Sequence, residues 1–247
     1  MSQPPSHSDL AAKAARRAAA PAVVREGAGF HFLEIDGKPM KTPAGLELRL
    51  PTRALAEAIA AELGEAPLQA LKNFAAIPNL RFAATALDRV SQAREETIKG
   101  VAAYAEADLL CYRAEGPTEL VAREEAAWQP LLDWAASRYG ALLLCGYGIT
   151  DVAQQPSTLA ALRKIVAAQD DMHLTGLAMA VQITGSLVLG LALLEGRLDA
   201  EEAFKLAEVD ETFQMEKWGE DTEAMARRAG RRRELAEAEA YLKLLRS

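Results

Sequence analysis

The run from Met172 to Leu194 sets the strongest limit on this chain: 23 consecutive residues without Lys, Arg, Asp or Glu. A helix of that length and polarity has two homes, a bilayer or the centre of a soluble helical domain. The flanks decide against the bilayer. Asp170, Asp171 and Glu195 bracket the run, and no basic or aromatic anchors stand beside it. Within it lie His173, Thr175, Gln182, Thr184 and Ser186, together with Gly176, Gly185 and Gly190. The run therefore reads as a buried helix over 171–195, with no membrane insertion, and its small residues let neighbouring helices come close.

A buried helix needs other helices around it, and the composition supplies them. The chain has 51 Ala and 34 Leu among 247 residues, both strong helix formers. Further helices are expected over Leu80–Val90, Gln92–Ala107, from Thr118 to about Ala135, and over about 157–168, 199–218 and 221–245. Thr118 is expected to cap its helix and Pro130 to break or restart it. Two short extended candidates, 108–113 and 141–145, interrupt the helices, and their pairing is left open.

The first fifty residues differ. Phe30–Ile35 is rich in strand formers, Asp36-Gly37 is a hairpin turn signal, and Lys38–Pro43 is too proline-rich for a central strand. Leu46–Leu50 alternates with period two. Thr52 can cap a following helix whose Leu55, Ile59 and Leu63 cover the apolar face of a small antiparallel sheet. The expected class is α+β: a flexible arm over 1–22, a β-rich domain with one covering helix over 23–73, and an α-helical domain over 74–247. Charges interrupt the Ala run of the arm, so it does not form a signal peptide, and a cytoplasmic-type compartment follows.

Chemistry is sparse. A net charge of −7 argues against nucleic acid as a partner. Phosphate-binding, dinucleotide, nucleophile-elbow and His-Glu-x-x-His motifs are all missing. His7, His31 and His173 have no second ligand at metal spacing, and Cys111 and Cys145 read as reduced, buried, apolar residues. No catalytic residue, cofactor or metal is expected.

The charge distribution is more specific. Residues 199–223 hold ten acids against Lys205 and Lys217, a net −8, and residues 224–247 carry a net +4. Asp199 with Glu202 forms a capping pattern. Counted at about 100° per residue from there, Ala203, Leu206, Ala207, Asp210, Phe213 and Gln214 share one stripe. Asp210 and Gln214 thus stand among core-facing residues, where an unpaired acid is costly. Either they form a structural polar pair with a buried arginine such as Arg81 or Arg89, or the segment is a recognition surface. Glu211, beside Phe204, Met215 and Trp218, fits both readings.

At these residues a family likeness becomes specific. Asp108–Arg113, Trp128–Trp134 with Arg138-Tyr139-Gly140, Asp36–Pro43 with Leu50–Thr52, Pro78 with Arg81 and Thr85–Val90, and Asp210–Gln214 with Lys217-Trp218-Gly219 follow in order. This set resembles the assembly chaperones of the F1-ATPase alpha subunit, the ATP synthase mitochondrial F1 complex assembly factor 2 family, in its alphaproteobacterial form. The resemblance implies a small β-containing domain before a larger helical one and no catalysis. It implies a monomer that binds the unassembled alpha subunit and shields its interface until the beta subunit arrives. It also implies a role for the acid in the Glu211 block, and Glu211 is expected to contribute to the contact with Phe204, Met215 and Trp218 around it. The setting would be bacterial cytoplasm, or the mitochondrial matrix if the source is eukaryotic. Leu63 and Gly64-Glu65-Ala66 depart from the family pattern of Trp followed by Gln. Two other functions stay open: a structural or regulatory adaptor with another protein client, and, less favoured, a hydrolase using Asp210 and Glu211.

Overall fold

The computed structural model describes residues 22–65, 77–148, 152–219 and 221–246. It divides into two compact units, one running to Arg89 and resuming at Leu244, the other Val90–Lys243. Of the features expected early in the chain, the arm before residue 22 and the division after residue 73 lie outside the described residues.

The first unit is built on an antiparallel sheet of β1 (Val23–Gly27), β2 (Phe30–Ile35) and β3 (Lys38–Pro39), in that order. Asp36 and Gly37 both take positive φ, 53° and 70°, the hairpin geometry that matches strand twist. Pro39 sits on the edge strand, where a missing N–H is tolerated. Leu46–Leu50 does not form the expected continuous strand. The outer edge of β2 is shared between β3 and Leu50, which bridges His31, and Glu47 makes only an isolated bridge to Lys41. The apolar face survives that change. Leu33, Leu48 and Leu50 are fully buried with Leu55, Ala56 and Ile59 of α1 (Arg53–Glu65). Thr52 caps α1, its hydroxyl oxygen accepting the Leu55 N–H at 3.2 Å. Helix α2 (Pro78–Thr85) is tied to α1 where Asn79 Nδ2 donates to Glu62 Oε1 at 2.7 Å.

The second unit is helical: α3 (Arg94–Ala103), α4 (Thr118–Tyr139), α5 (Pro156–Ala167), α6 (Asp171–Thr184), α7 (Leu187–Leu194), α8 (Ala200–Ala207) and α9 (Val209–Trp218). Helix α10 (Thr222–Leu245) follows. All eight residues of α7 are buried, as the uncharged run requires. That run is nevertheless two helices rather than the single one expected over 171–195. Gly185 takes φ 70° and closes α6, and the Ser186 hydroxyl oxygen accepts the Leu189 N–H at 3.0 Å to open α7. Among the described residues no helix is long and apolar enough to cross a membrane.

A buried acid completes the start of α7. Asp108 Oδ2 accepts the Val188 N–H at 3.2 Å and Oδ1 the Leu110 N–H at 3.1 Å. Burial pushes this carboxyl up to about 6, against the pull of its bonds to Ser186, Leu110, Val188 and Leu187. The segment after it is a 3-10 turn (Leu109–Cys111) followed by β4 (Tyr112–Arg113). Strand β4 pairs in parallel with β5 (Gly146–Tyr147), just beyond the 141–145 candidate. The side-chain amide of Gln154 instead bonds both backbone groups of Leu144.

Three further expectations are corrected. Thr118 is the first residue of α4 and not its cap; Pro117 holds the cap position without a side-chain bond. Pro130 lies inside a continuous α4. Pro130 and Ala126, whose carbonyl loses its donor, are both exposed, so water can replace the missing bond. Of the two cysteines, Cys111 is buried but Cys145 is exposed.

Two glycines set the helix spacing. A Cβ on Gly190 would drive into the Val181 side chain, and one on Gly176 would lie 2.6 Å from Leu242 Cδ2. Gly190→Ala is expected to destabilise the protein by about 1–3 kcal/mol, seen as a lower urea midpoint with unchanged slope. Gly230→Ala, where nothing lies within 4 Å, should move stability the other way by up to about 1 kcal/mol.

Candidate functional site

The acidic window of the sequence does not form one helix. Asp199 and Glu202 exchange both bonds of a capping box at the start of α8. The helix then stops at Glu208, whose φ of −113° is non-helical, and α9 begins at Val209. A face counted from Asp199 therefore does not continue through residue 214. Phe213 is buried, as expected, but Gln214 is exposed and Asp210 half-buried.

Glu208 itself is the acid in the core, at 2% exposure. It forms ion pairs with Arg228 at 3.0 Å and Arg231 at 2.7 Å, both from α10. Burial raises its carboxyl above the usual range; Arg231 opposes this, the nearby Glu211 carboxylate adds to it, and Arg228 opposes it. The same arginines reach further. Arg231 NH2 donates to the Ile183 carbonyl near the end of α6 at 2.7 Å, Arg228 NH2 to the Thr212 hydroxyl at 2.7 Å, and the Arg228 guanidinium lies 5.7 Å over the Phe204 ring. Phe204, at 4% exposure, is thus beneath the surface rather than on it.

Asp210 meets an acid, not an arginine. It points to Glu124 of α4, which is fully buried. Glu124 Oε1 and Asp210 Oδ1 have no protein donor, so a proton held between the two carboxyls satisfies both. Burial, with the Asp210 carboxyl adding to it, pushes Glu124 up to about 7, while the Ala114 N–H and Arg113 pull it down. The structural role expected of Asp210 thus has a different partner, and Gln214 takes no part in it. The signal for Glu124 was present in the spacing: Leu120, Glu124 and Trp128 follow at one turn each on the buried side of α4.

Glu211 faces outward. With Met215 and Trp218, one and two turns on, it lines an open groove of about 570 Å³ between α9 and α10. Trp218 is 78% exposed and Met215 half-buried. The neighbouring acids are occupied: Glu201 by Lys205 and Arg232, Glu216 by Arg123, Glu223 by Arg227, and Asp221 by the first amides of α10. Among the described residues the Glu211 carboxylate has neither a hydrogen bond nor an ion pair. Asp210 and Glu211 point to different surroundings and do not converge on one site.

The Glu211 carboxylate, without a partner, thus stands beside the exposed Trp218 indole on an open groove, and the class of the protein, a chaperone, comes from its relatives. Comparison with known proteins gives the particular family. A family model described as ATP12 chaperone protein matches residues 17–136. The crystal structure of Atp12 from Paracoccus denitrificans is 37% identical over 93% of this chain and 97% of that one, with a TM-score of 0.88. An aspartate-to-lysine mutant of the same Paracoccus Atp12p matches at 37% identity and TM-score 0.88, over 92% and 96%. A chaperone-like protein of Agrobacterium tumefaciens matches at 35% identity and TM-score 0.84, over 93% and 85%. The chain belongs to the ATP12 chaperone family.

The Glu124–Asp210 pair makes stability depend on pH. The folded state keeps its proton up to about 7, whereas an ordinary glutamate releases it near 4.5. Between those values the native state binds more protons, so stability is expected to fall as pH rises, by up to about 3 kcal/mol. Glu124→Gln offers Asp210 a donor at every pH and should remove this contribution, leaving the smaller fall that the raised Asp108 and Glu208 carboxyls supply. Urea unfolding at a series of pH values checks both.

Proposed function

We propose that this chaperone binds the unassembled alpha subunit of the F1 sector of ATP synthase and assists assembly of the catalytic head, acting as a monomer in the bacterial cytoplasm, or in the mitochondrial matrix if the source is eukaryotic. Its family membership supports the F1-assembly role. The observation that carries the site is the free Glu211 carboxylate in a groove whose apolar floor and rim include Met215 and Trp218. Phe204 supports that face from below, packed under Arg228.

An alpha subunit outside its assembly exposes the apolar surface that the beta subunit later covers. A partner that covers it with a shallow, half-polar groove protects it without sealing it. Release needs no nucleotide: if the finished head binds alpha more tightly, mass action transfers the client. The groove suits such an exchange because the charged residues of its wall are already engaged with one another, Glu208 with Arg228 and Arg231. Glu211, Gln214 and the apolar residues remain to engage a client.

Glu211→Lys is expected to abolish rescue of alpha-subunit solubility in co-expression, with the helical circular-dichroism signal and the melting midpoint unchanged. Normal rescue by the folded variant would remove Glu211 from the site. A pull-down from the source cell should enrich alpha over beta; a different dominant partner would point to an adaptor for another client.

A further inference from the structure

Away from the groove, the topology brings the chain's two cysteines together. In the parallel register Tyr112↔Gly146, Cys111, the last residue of the 3-10 turn, and Cys145 are the residues that immediately precede the paired positions. Paired parallel residues lie about 5 Å apart, so the residues that precede such a pair start close to the Cα separation a disulfide spans. The Cys145 thiol is among the neighbours that raise the Cys111 thiol, after burial and Asp108. One is reachable and the other is not: Cys145 is exposed and Cys111 fully buried. The intervening chain holds the whole of α4, so a bond here would clasp the helix that carries Glu124.

We propose that Cys111 and Cys145 form a thiol pair that a small disulfide such as glutathione disulfide converts to an intramolecular disulfide. The exposed Cys145 thiolate attacks one sulfur of glutathione disulfide, and the first glutathione leaves as its thiolate. Cys111 then attacks the Cys145 sulfur of the mixed disulfide. The second glutathione leaves, and the Cys111 proton ends on a departing thiolate. Two protein thiols are oxidised, one glutathione disulfide is reduced to two glutathiones, and atoms balance. Burial, and next the charge of Asp108, hold the Cys111 thiol well above its usual range. Cys145 is therefore the entry point and Cys111 the resolving thiol.

The test uses the full chain. After incubation with glutathione disulfide, the free-thiol count under denaturing conditions should fall from two to none, with no glutathione in the intact mass. A peptide linking the two cysteines should appear, and the melting midpoint should rise by several degrees, because the new bond restricts the unfolded chain. Cys145→Ser, at an exposed position, should fold normally and keep its one thiol unreacted. Phenylarsine oxide probes the spacing without oxidation, since one trivalent arsenic bridges two thiols with loss of water. The wild type should retain one equivalent and Cys145→Ser none. Glutathione retained on Cys145, two thiols left free after oxidation, or failure of the wild type to retain the arsenical would each overturn the proposal.

Discussion

The second unit depends on one electrostatic condition: the buried N-terminus of α7 must be satisfied. Every residue of that helix is inside the protein, so its first amides cannot turn to water. Ser186 takes one and the Asp108 carboxylate takes another, while the Leu109 N–H returns a bond to the Gly185 carbonyl. The acid faces the positive end of the helix dipole, which favours its charge even at zero exposure. Around this point α4, α6 and α8 find their places. Gly190 then lets α7 approach α6 at Val181, and Gly176 leaves room for the Leu242 side chain of α10.

A second condition governs the acidic and basic runs late in the chain. They are not separate charged tails. Arg228 and Arg231 of α10 neutralise Glu208 at the break between α8 and α9, and Arg232 reaches Glu201. The stability of such a pair is modest once desolvation is counted, but removing one partner would leave a buried charge. The pairing uses up the acids that face inward and sideways and leaves Glu211 out. The proposed site residue is thus defined by what its neighbours bond to as much as by where it lies.

Much of this was legible in the sequence, for local reasons. The Asp36-Gly37 turn, the Thr52 cap and the Asp199/Glu202 box depend on residues a few positions apart, and each formed as read. The buried run announced itself by its length without charge. What escaped notice involves interruptions and partners far along the chain. Glu208 ends a helix because its side chain is drawn to two arginines of α10, which no periodicity shows. Counting through that break placed Gln214 in the core, where it is not. Glu124 was visible on its stripe, but only the fold brings Asp210 against it. Pro130 was read as a breaker because a sequence does not reveal that its turn faces water.

Trp218 carries a consequence of its own. An indole held 78% in water keeps a shell of oriented solvent around a free chaperone. A partner that covers it sets those waters loose, and near room temperature this gain is entropic. The apolar part of the grip therefore strengthens on warming over that range and weakens on cooling. Exposed surfaces of unassembled subunits aggregate through the same force. Protector and hazard follow one temperature dependence, so a client contact through Trp218, as proposed, would track the danger it guards against.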